Sequence, residues 1–327
     1  MAAFRKRGAG WQARVRRAGY PDEVKTFPTK AEAERWARSV EGEMDRGEFT
    51  DQREIARTTL ADLVRRYMAE VTPSKRGARD EVIRLNAMLR NRICGLSLVN
   101  LAPQEVARYR DERLQVCGPA TVIRDLAVLS SIVNHARREW GMRIQNPVAL
   151  VRKPSAPAGR DRVLSEAEEV RLLEELEPRG RRNPYMQPLV IAAIETAMRR
   201  GELLTLQWEH IDLLRRVAFL PMTKNGRQRY VPLSSRAVHV IESTGSPRPG
   251  RVFPIGIAAM EAAFSRAAQR AHLHGLRFHD LRHTATSRIA RRLPNVIELA
   301  SVTGHESLQM LKRYFHPRAS ELALKLG

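Results

Sequence analysis

Breaking a phosphodiester bond without a metal or an activated water takes three kinds of group. These are a nucleophile, positive donors for the non-bridging oxygens, and an acid for the departing sugar oxygen. The C-terminal half of this 327-residue sequence offers each in a short segment. Arg199 lies in Thr196-Ala197-Met198-Arg199-Arg200-Gly201-Glu202-Leu203, where a buried apolar helix ends and a new one starts, so its side chain can point into a cleft. In His279-Asp280-Leu281-Arg282-His283-Thr284, His279 and Arg282 are three apart and share a helix face that reaches one phosphate. Arginine brings a planar fork suited to phosphate, and histidine a donor or a proton shuttle. Gly304-His305 is followed by Tyr314 within Lys312-Arg313-Tyr314-Phe315-His316. A tyrosine ionises near pH ~10 and is a poor nucleophile unless cations favour its phenolate. Lys224, in Thr223-Lys224-Asn225-Gly226, sits at a hairpin tip from which it could reach a groove and protonate a leaving oxygen. Taken singly, each segment reads equally as something ordinary: a solvated arginine pair, a polar helix face, a surface tyrosine, a turn lysine.

Elements that would position these groups are legible along the chain. Residues 11–17 alternate apolar with basic or polar side chains as a half-exposed strand does, and a second strand follows at Val24–Phe27 after a Gly19-Tyr20-Pro21-Asp22 turn. Thr29 caps a helix with Glu32 three residues on, and Ala33, Trp36, Ala37 and Val40 share its apolar face. A module of about fifty residues is marginal alone and usually serves as an appended binding unit. Residues 58–150 carry helical periodicity, ending at Asn146-Pro147. Arg152-Lys153-Pro154-Ser155-Ala156-Pro157-Ala158-Gly159-Arg160 has the composition of a basic extended linker. Beyond it come a capped helix (Ser165 with Glu168), an apolar helix at 186–198, a hairpin of Val217–Leu220 and Gln228–Leu233 around Asn-Gly, and helices from 257 onward. The expected fold is multidomain, mainly α with small β elements (α+β), divided into 1–55, 56–155 and 156–327.

Composition names a partner class. Lys and Arg total 57 against 36 Asp and Glu, a formal charge of +21. The excess is uneven: 12 basic against 10 acidic residues over 1–55, 18 against 9 over 56–155, and 27 against 17 over 156–327. Two basic domains in series suit a polyanion, although charge alone fits an RNA-binding or ribosomal protein equally well. No stretch approaches the ~20 apolar residues a bilayer span needs, and the N-terminus lacks a signal-peptide core. Two cysteines, Cys94 and Cys117, make neither a disulfide framework nor a thiolate zinc site. The expectation is a cytoplasmic, nucleoid-associated protein that uses no metal or other cofactor.

The order Arg199, Lys224, His279-x-x-Arg282, His305, Tyr314 resembles that of the tyrosine recombinases, the phage-integrase family. So do the local stretches MRRGELL, TKNG, HDLRHT, GHES and RYFH, over roughly residues 160–320. The domain plan is similar too: a small arm-type DNA-binding module, a helical core-binding domain and a mixed catalytic domain. By that resemblance Tyr314 is the nucleophile that forms a 3′-phosphotyrosine, and Arg199 and Arg282 clamp the scissile phosphate. Lys224 is the general acid, His279 the proposed general base and His305 a further phosphate donor. The resemblance also implies double-stranded DNA with core and arm sites, a homotetramer in the synaptic complex, and an excisionase or DNA-bending protein as further partner. Arg14, Arg16 and Arg17, on or beside the first strand, and Arg152 and Lys153 in the linker are candidate DNA contacts. Residues 317–327 either dock on a neighbouring subunit or form a loose terminal helix. Two departures stand beside the site: Ala197 where the family usually has Gly, and Thr303 where Leu usually precedes Gly-His. Both are expected to be small packing changes that remove no reacting group.

Three functions remain in play at this level. A site-specific recombinase would integrate or excise a mobile element. A type IB topoisomerase would use much the same chemistry as a monomer, and the arm-type module argues against it. A repressor or architectural factor that has lost catalysis would have no need of the full set of reactive residues.

Overall fold

The computed structural model describes residues 2–47, 49, 52–222, 228–245, 249–314, 323 and 326. Contacts divide the chain into two units, 1–158 and 159–327. Both are mainly helical and each holds one small antiparallel sheet, so the expected α-rich fold with minor β elements is the one adopted. No helix among the described residues is long and apolar enough to cross a membrane.

The first unit contains two separate apolar cores. The alternation at 11–17 becomes β2 (Gly10–Val15), the middle strand of a sheet with β1 (Ala2–Arg7) and β3 (Glu23–Phe27). Alternation does not announce β1, because Arg5, Lys6 and Arg7 interrupt it. Ala13 and Val15, two apart and therefore on one face, are buried against Ala33, Ala37, Val40 and Met44 of the Lys30–Asp45 helix. That helix starts where Thr29 Oγ1 accepts the Glu32 N–H. The second core lies among helices Leu60–Glu70, Ala78–Leu89, Pro103–Val116 and Pro119–Arg138. Thr59 and Asp62 form a reciprocal capping box at the first of these. Asp125 is the exception on an otherwise apolar face. It is 2% exposed, and Arg84 Nη1 at 2.6 Å and Arg113 Nε at 3.0 Å supply the partners a buried carboxylate requires. Cys94 is buried and Cys117 half-buried; burial pushes the Cys94 thiol up to about 11, which makes it inert.

In the second unit the Met186–Thr196 helix is apolar nearly all round (Leu189, Val190, Ala192, Ala193, Ile194), as a helix enclosed by others must be. It packs against helices Ser235–Glu242 and Phe278–Arg292. The hairpin is present as β5 (Val217–Leu220) and β6 (Arg229–Pro232), with a two-residue β4 (Ile211–Asp212) beside β5, too short for its alternation to show. The turn with Lys224-Asn225-Gly226 lies outside the described residues. Asp280 fixes the start of the 278–292 helix. Its carboxylate accepts the Arg277 N–H at 2.8 Å and receives the Arg160 fork at 2.7 and 2.8 Å.

Candidate active site

The site is organised by the end of one short helix. Val296–Thr303 terminates at Gly304, whose φ of 69° is the left-handed conformation glycine adopts freely. A side chain there would also collide, since a Cβ would fall 2.9 Å from Arg229 Nε. Carbonyls at a helix C-terminus have no partner within the helix and carry the negative end of its dipole. Here three successive ones each take a guanidinium. Val302 O accepts Arg229 Nη1 at 2.5 Å, Thr303 O accepts Arg282 Nη2 at 2.7 Å, and Gly304 O accepts Arg199 Nη2 at 2.8 Å.

The break predicted at Arg199 is real and unusual. The 186–196 helix ends at Ala197, a non-glycine residue at φ 52° and fully buried. That reversal points the Ala197 carbonyl at Arg282 Nη1, with which it hydrogen-bonds. Glu202, 6% exposed, accepts the Arg199 N–H at 2.8 Å, Arg199 Nη1 at 3.0 Å and Arg229 Nη2 at 2.8 Å. Burial pushes its carboxyl up, but the Arg229 charge and these hydrogen bonds hold it below the usual range. Burial, and then Arg199, lowers Arg282 to about 10, so it stays charged at neutral pH. Three guanidiniums against one carboxylate leave an uncompensated positive surplus, which suits a phosphate anion.

Tyr314 belongs to a short turn, Lys312–Tyr314, and its ring packs on a small apolar cluster of Ala290, Leu299 and Leu311. The hydroxyl contacts His283 Nδ1, and the two rings stack at 5.8 Å. The His305 ring centroid is 6.2 Å from that of Tyr314, and His305 Nε2 is 3.4 Å from Arg282 Nη2. Burial first, then Arg282, Arg199 and Arg229, push the His305 pKa down to about 3. His279 stands edge-on to His283 at 5.1 Å, and desolvation followed by the Arg282 charge lowers its pKa.

Arg199, Arg282, His305 and Tyr314 thus come together, with His279 one ring further out. Lys224 and most of the 317–327 tail lie outside the described residues. Arg14 and Arg16 both reach Asp22, Arg14 Nε at 3.1 Å and Arg16 Nε at 2.7 Å, and Arg17 pairs with Asp45. Arg152 and Lys153 are exposed in a stretch that is neither helix nor strand. Sequence reasoning passed over His283 and Arg229. His283 carried a signal, because four residues after His279 it shares the same helix face. Arg229 carried none, since one arginine in an alternating strand looks like any other.

Comparison with known proteins points to one family. Residues 162–321 match the profile described as the Phage integrase family. The chain is 41% identical over 281 residues to a shufflon-specific DNA recombinase of Escherichia coli, covering 83% of this chain and 72% of the relative. It is 34% identical to a putative integrase/recombinase of Haemophilus influenzae, over 98% of this chain and 89% of that protein. Among solved structures, a Tn1549 transposon integrase in complex with circular intermediate DNA superposes with a TM-score of 0.68 at 15% identity, covering 83% of this chain and 99% of that one. A lambda integrase tetramer bound to a Holliday junction gives 0.67 at 18% identity, covering 95% and 93%. Arginines gathered at one helix end beside a tyrosine, on this fold, place the chain in the class of DNA recombinases named for that tyrosine. This chain belongs to the phage integrase family, the tyrosine recombinases.

Proposed function

We propose that the protein is a site-specific DNA recombinase that cuts and rejoins strands through Tyr314. One observation carries the reading: the Tyr314 hydroxyl rests on His283 beside the helix end at which Arg199, Arg282 and His305 converge. In the first step the Tyr314 oxygen bonds to phosphorus and the phosphorus bond to the 5′ oxygen breaks. His283 Nδ1 takes the phenol proton, the arginines hold the non-bridging oxygens, and Lys224 protonates the departing 5′ oxygen. The products are a 3′-phosphotyrosine and a 5′-hydroxyl. The ester conserves the bond energy, so attack by a second 5′-hydroxyl reverses the step on a new partner strand. Losing one such oriented donor typically costs about 10²–10³ in rate.

The DNA-bound lambda tetramer supports a homotetramer on two duplexes as the working assembly, and the shufflon-specific DNA recombinase supports site-specific recombination, with integration or excision of a mobile element as the outcome. In this reading residues 1–55 contact accessory arm sites through Arg14, Arg16 and Arg17. The 56–155 domain, with Arg152 and Lys153, holds the core site, and an excisionase or DNA-bending protein sets direction. The protein works in the cytoplasm, on the nucleoid. A nicked suicide substrate followed by a denaturing gel tests the chemistry: the wild type traps covalent protein–DNA and Tyr314→Phe does not. Binding of the authentic site with no covalent product from the wild type would leave a DNA-binding regulator as the answer.

A further inference from the structure

Thr303, expected to be a minor packing change, carries more than packing. It is fully buried, its carbonyl receives Arg282, and its hydroxyl faces two groups. Oγ1 lies 2.7 Å from the Leu299 carbonyl and 2.7 Å from His305 Nδ1. A carbonyl only accepts, so the single hydroxyl proton goes to Leu299. The hydroxyl then presents a lone pair to His305, and Nδ1 must bring the hydrogen. A neutral imidazole has one such proton, which leaves Nε2 as an acceptor facing the Arg282 Nη2 donor at 3.4 Å. Both ends of the chain demand the same tautomer.

We propose that Thr303 is a positioning residue, fixing His305 as its Nδ1–H tautomer and aiming the bare Nε2 at Arg282 and the phosphate pocket. Arg282, Arg199, Arg229 and His283 all act on this ring, and together with burial they keep it neutral before DNA arrives. Nε2 is then the one atom at which His305 exchanges a proton with the cleft. A phosphate anion entering the socket favours protonation there, which turns His305 from an acceptor toward Arg282 into a donor toward the phosphate. The catalytic consequence rests on the recombinase reading; the tautomer itself does not.

The test separates the two. Long-range ¹H–¹⁵N spectra of histidine-labelled, DNA-free protein, with His305 assigned through His305→Gln, are expected to show Nδ1–H in the wild type and in Thr303→Ser. In Thr303→Val, which keeps the shape and loses the hydroxyl, the signal shifts toward Nε2–H or a mixture. Single-turnover cleavage of the suicide substrate slows roughly tenfold in Thr303→Val, as removal of an orienting partner commonly does, and Thr303→Ser recovers most of the rate. An Nε2–H signal in the wild type overturns the proposal, and so does a Thr303→Val protein with an unchanged tautomer. Should the valine variant fail to fold, the wild-type and serine spectra still decide. Should no variant cleave, the spectra remain readable while the recombinase reading falls.

Discussion

The Tyr314 hydroxyl meets Nδ1 of His283, the histidine directly after Arg282. His279, which the motif nominates as base, stands edge-on to the His283 ring at 5.1 Å. A free phenol at pKa ~10 gives its proton to an imidazole at ~6.5 against a gap of about 5 kcal/mol. The arginine socket narrows that gap by favouring the phenolate and its phosphate ester, and a base in contact receives the proton.

His283→Ala is therefore expected to slow single-turnover cleavage by about 10²–10³ with site binding retained, and His279→Ala by no more than about tenfold. Rates from covalent trapping decide. The opposite ranking returns the base role to His279.

Acid should weaken the catalytic unit through two carboxylates. Burial pushes up Glu202 and Asp280, but Arg229 and Arg160 bring each below its ordinary value of 4.5 or 3.8. A carboxyl with a lower pKa folded than unfolded stabilises above the unfolded pKa, and that stabilisation drains as pH falls through the folded one. Urea midpoints are expected to be steady above about pH 5 and to drop below it. Glu202→Gln should start about 3–5 kcal/mol less stable at neutral pH, because Arg229 and Arg199 lose their buried partner. Its midpoint should then fall less on acidification; a slope as steep as the wild type's would exclude Glu202 as a source.

Ala197 presents two opposing terms. The left-handed backbone costs an L-residue about 1–2 kcal/mol, and its buried methyl contributes about 0.8 kcal/mol. Ala197→Gly should leave stability within about 1 kcal/mol and cleavage intact. A β-branched residue suits this conformation poorly, so Ala197→Val should cost more than about 2 kcal/mol, overpacking included, and should displace the carbonyl that Arg282 needs. Equal stability of the two variants by urea titration would argue against strain at this position.

The N-terminal module should be separable from chemistry. Its apolar core, Ala13 and Val15 against Ala33, Ala37, Val40 and Met44, is distinct from the one around Leu60 and Leu126. A chain lacking residues 1–55 is expected to cleave an isolated core site at close to the full rate and to lose recombination of a full site. Recombination assays on paired substrates measure both, and unimpaired full-site recombination would reduce the module to a stabilising cap.

The Arg199 break, the helix caps and the β5–β6 hairpin were legible because each depends on neighbours within a few residues; Tyr314 was nominated only by the order of residues spread from 199 to 314. Apolar spacing set the 60–70 and 119–138 helices, and Ser165 with Glu168 marked the start of another. β1, with its run of basic residues, and β4, with two residues, gave alternation too little length to appear. Asp125 on an apolar face reads as an error until Arg84 and Arg113 arrive from other helices.

What the sequence determined was the inventory: a candidate nucleophile, cations and histidines in one order, on a basic chain with local signals for most of its helices. Tertiary structure decided which of them touch. Val302, Thr303 and Gly304 collect arginines from positions 229, 282 and 199 because a helix end leaves three carbonyls unpaired, and nothing local reveals which donors the fold will bring there. The same packing put His283 rather than His279 on Tyr314, and turned Thr303 from a packing detail into the partner that orients His305. Such roles depend on distances between residues far apart in the chain, and those exist only once the core has closed.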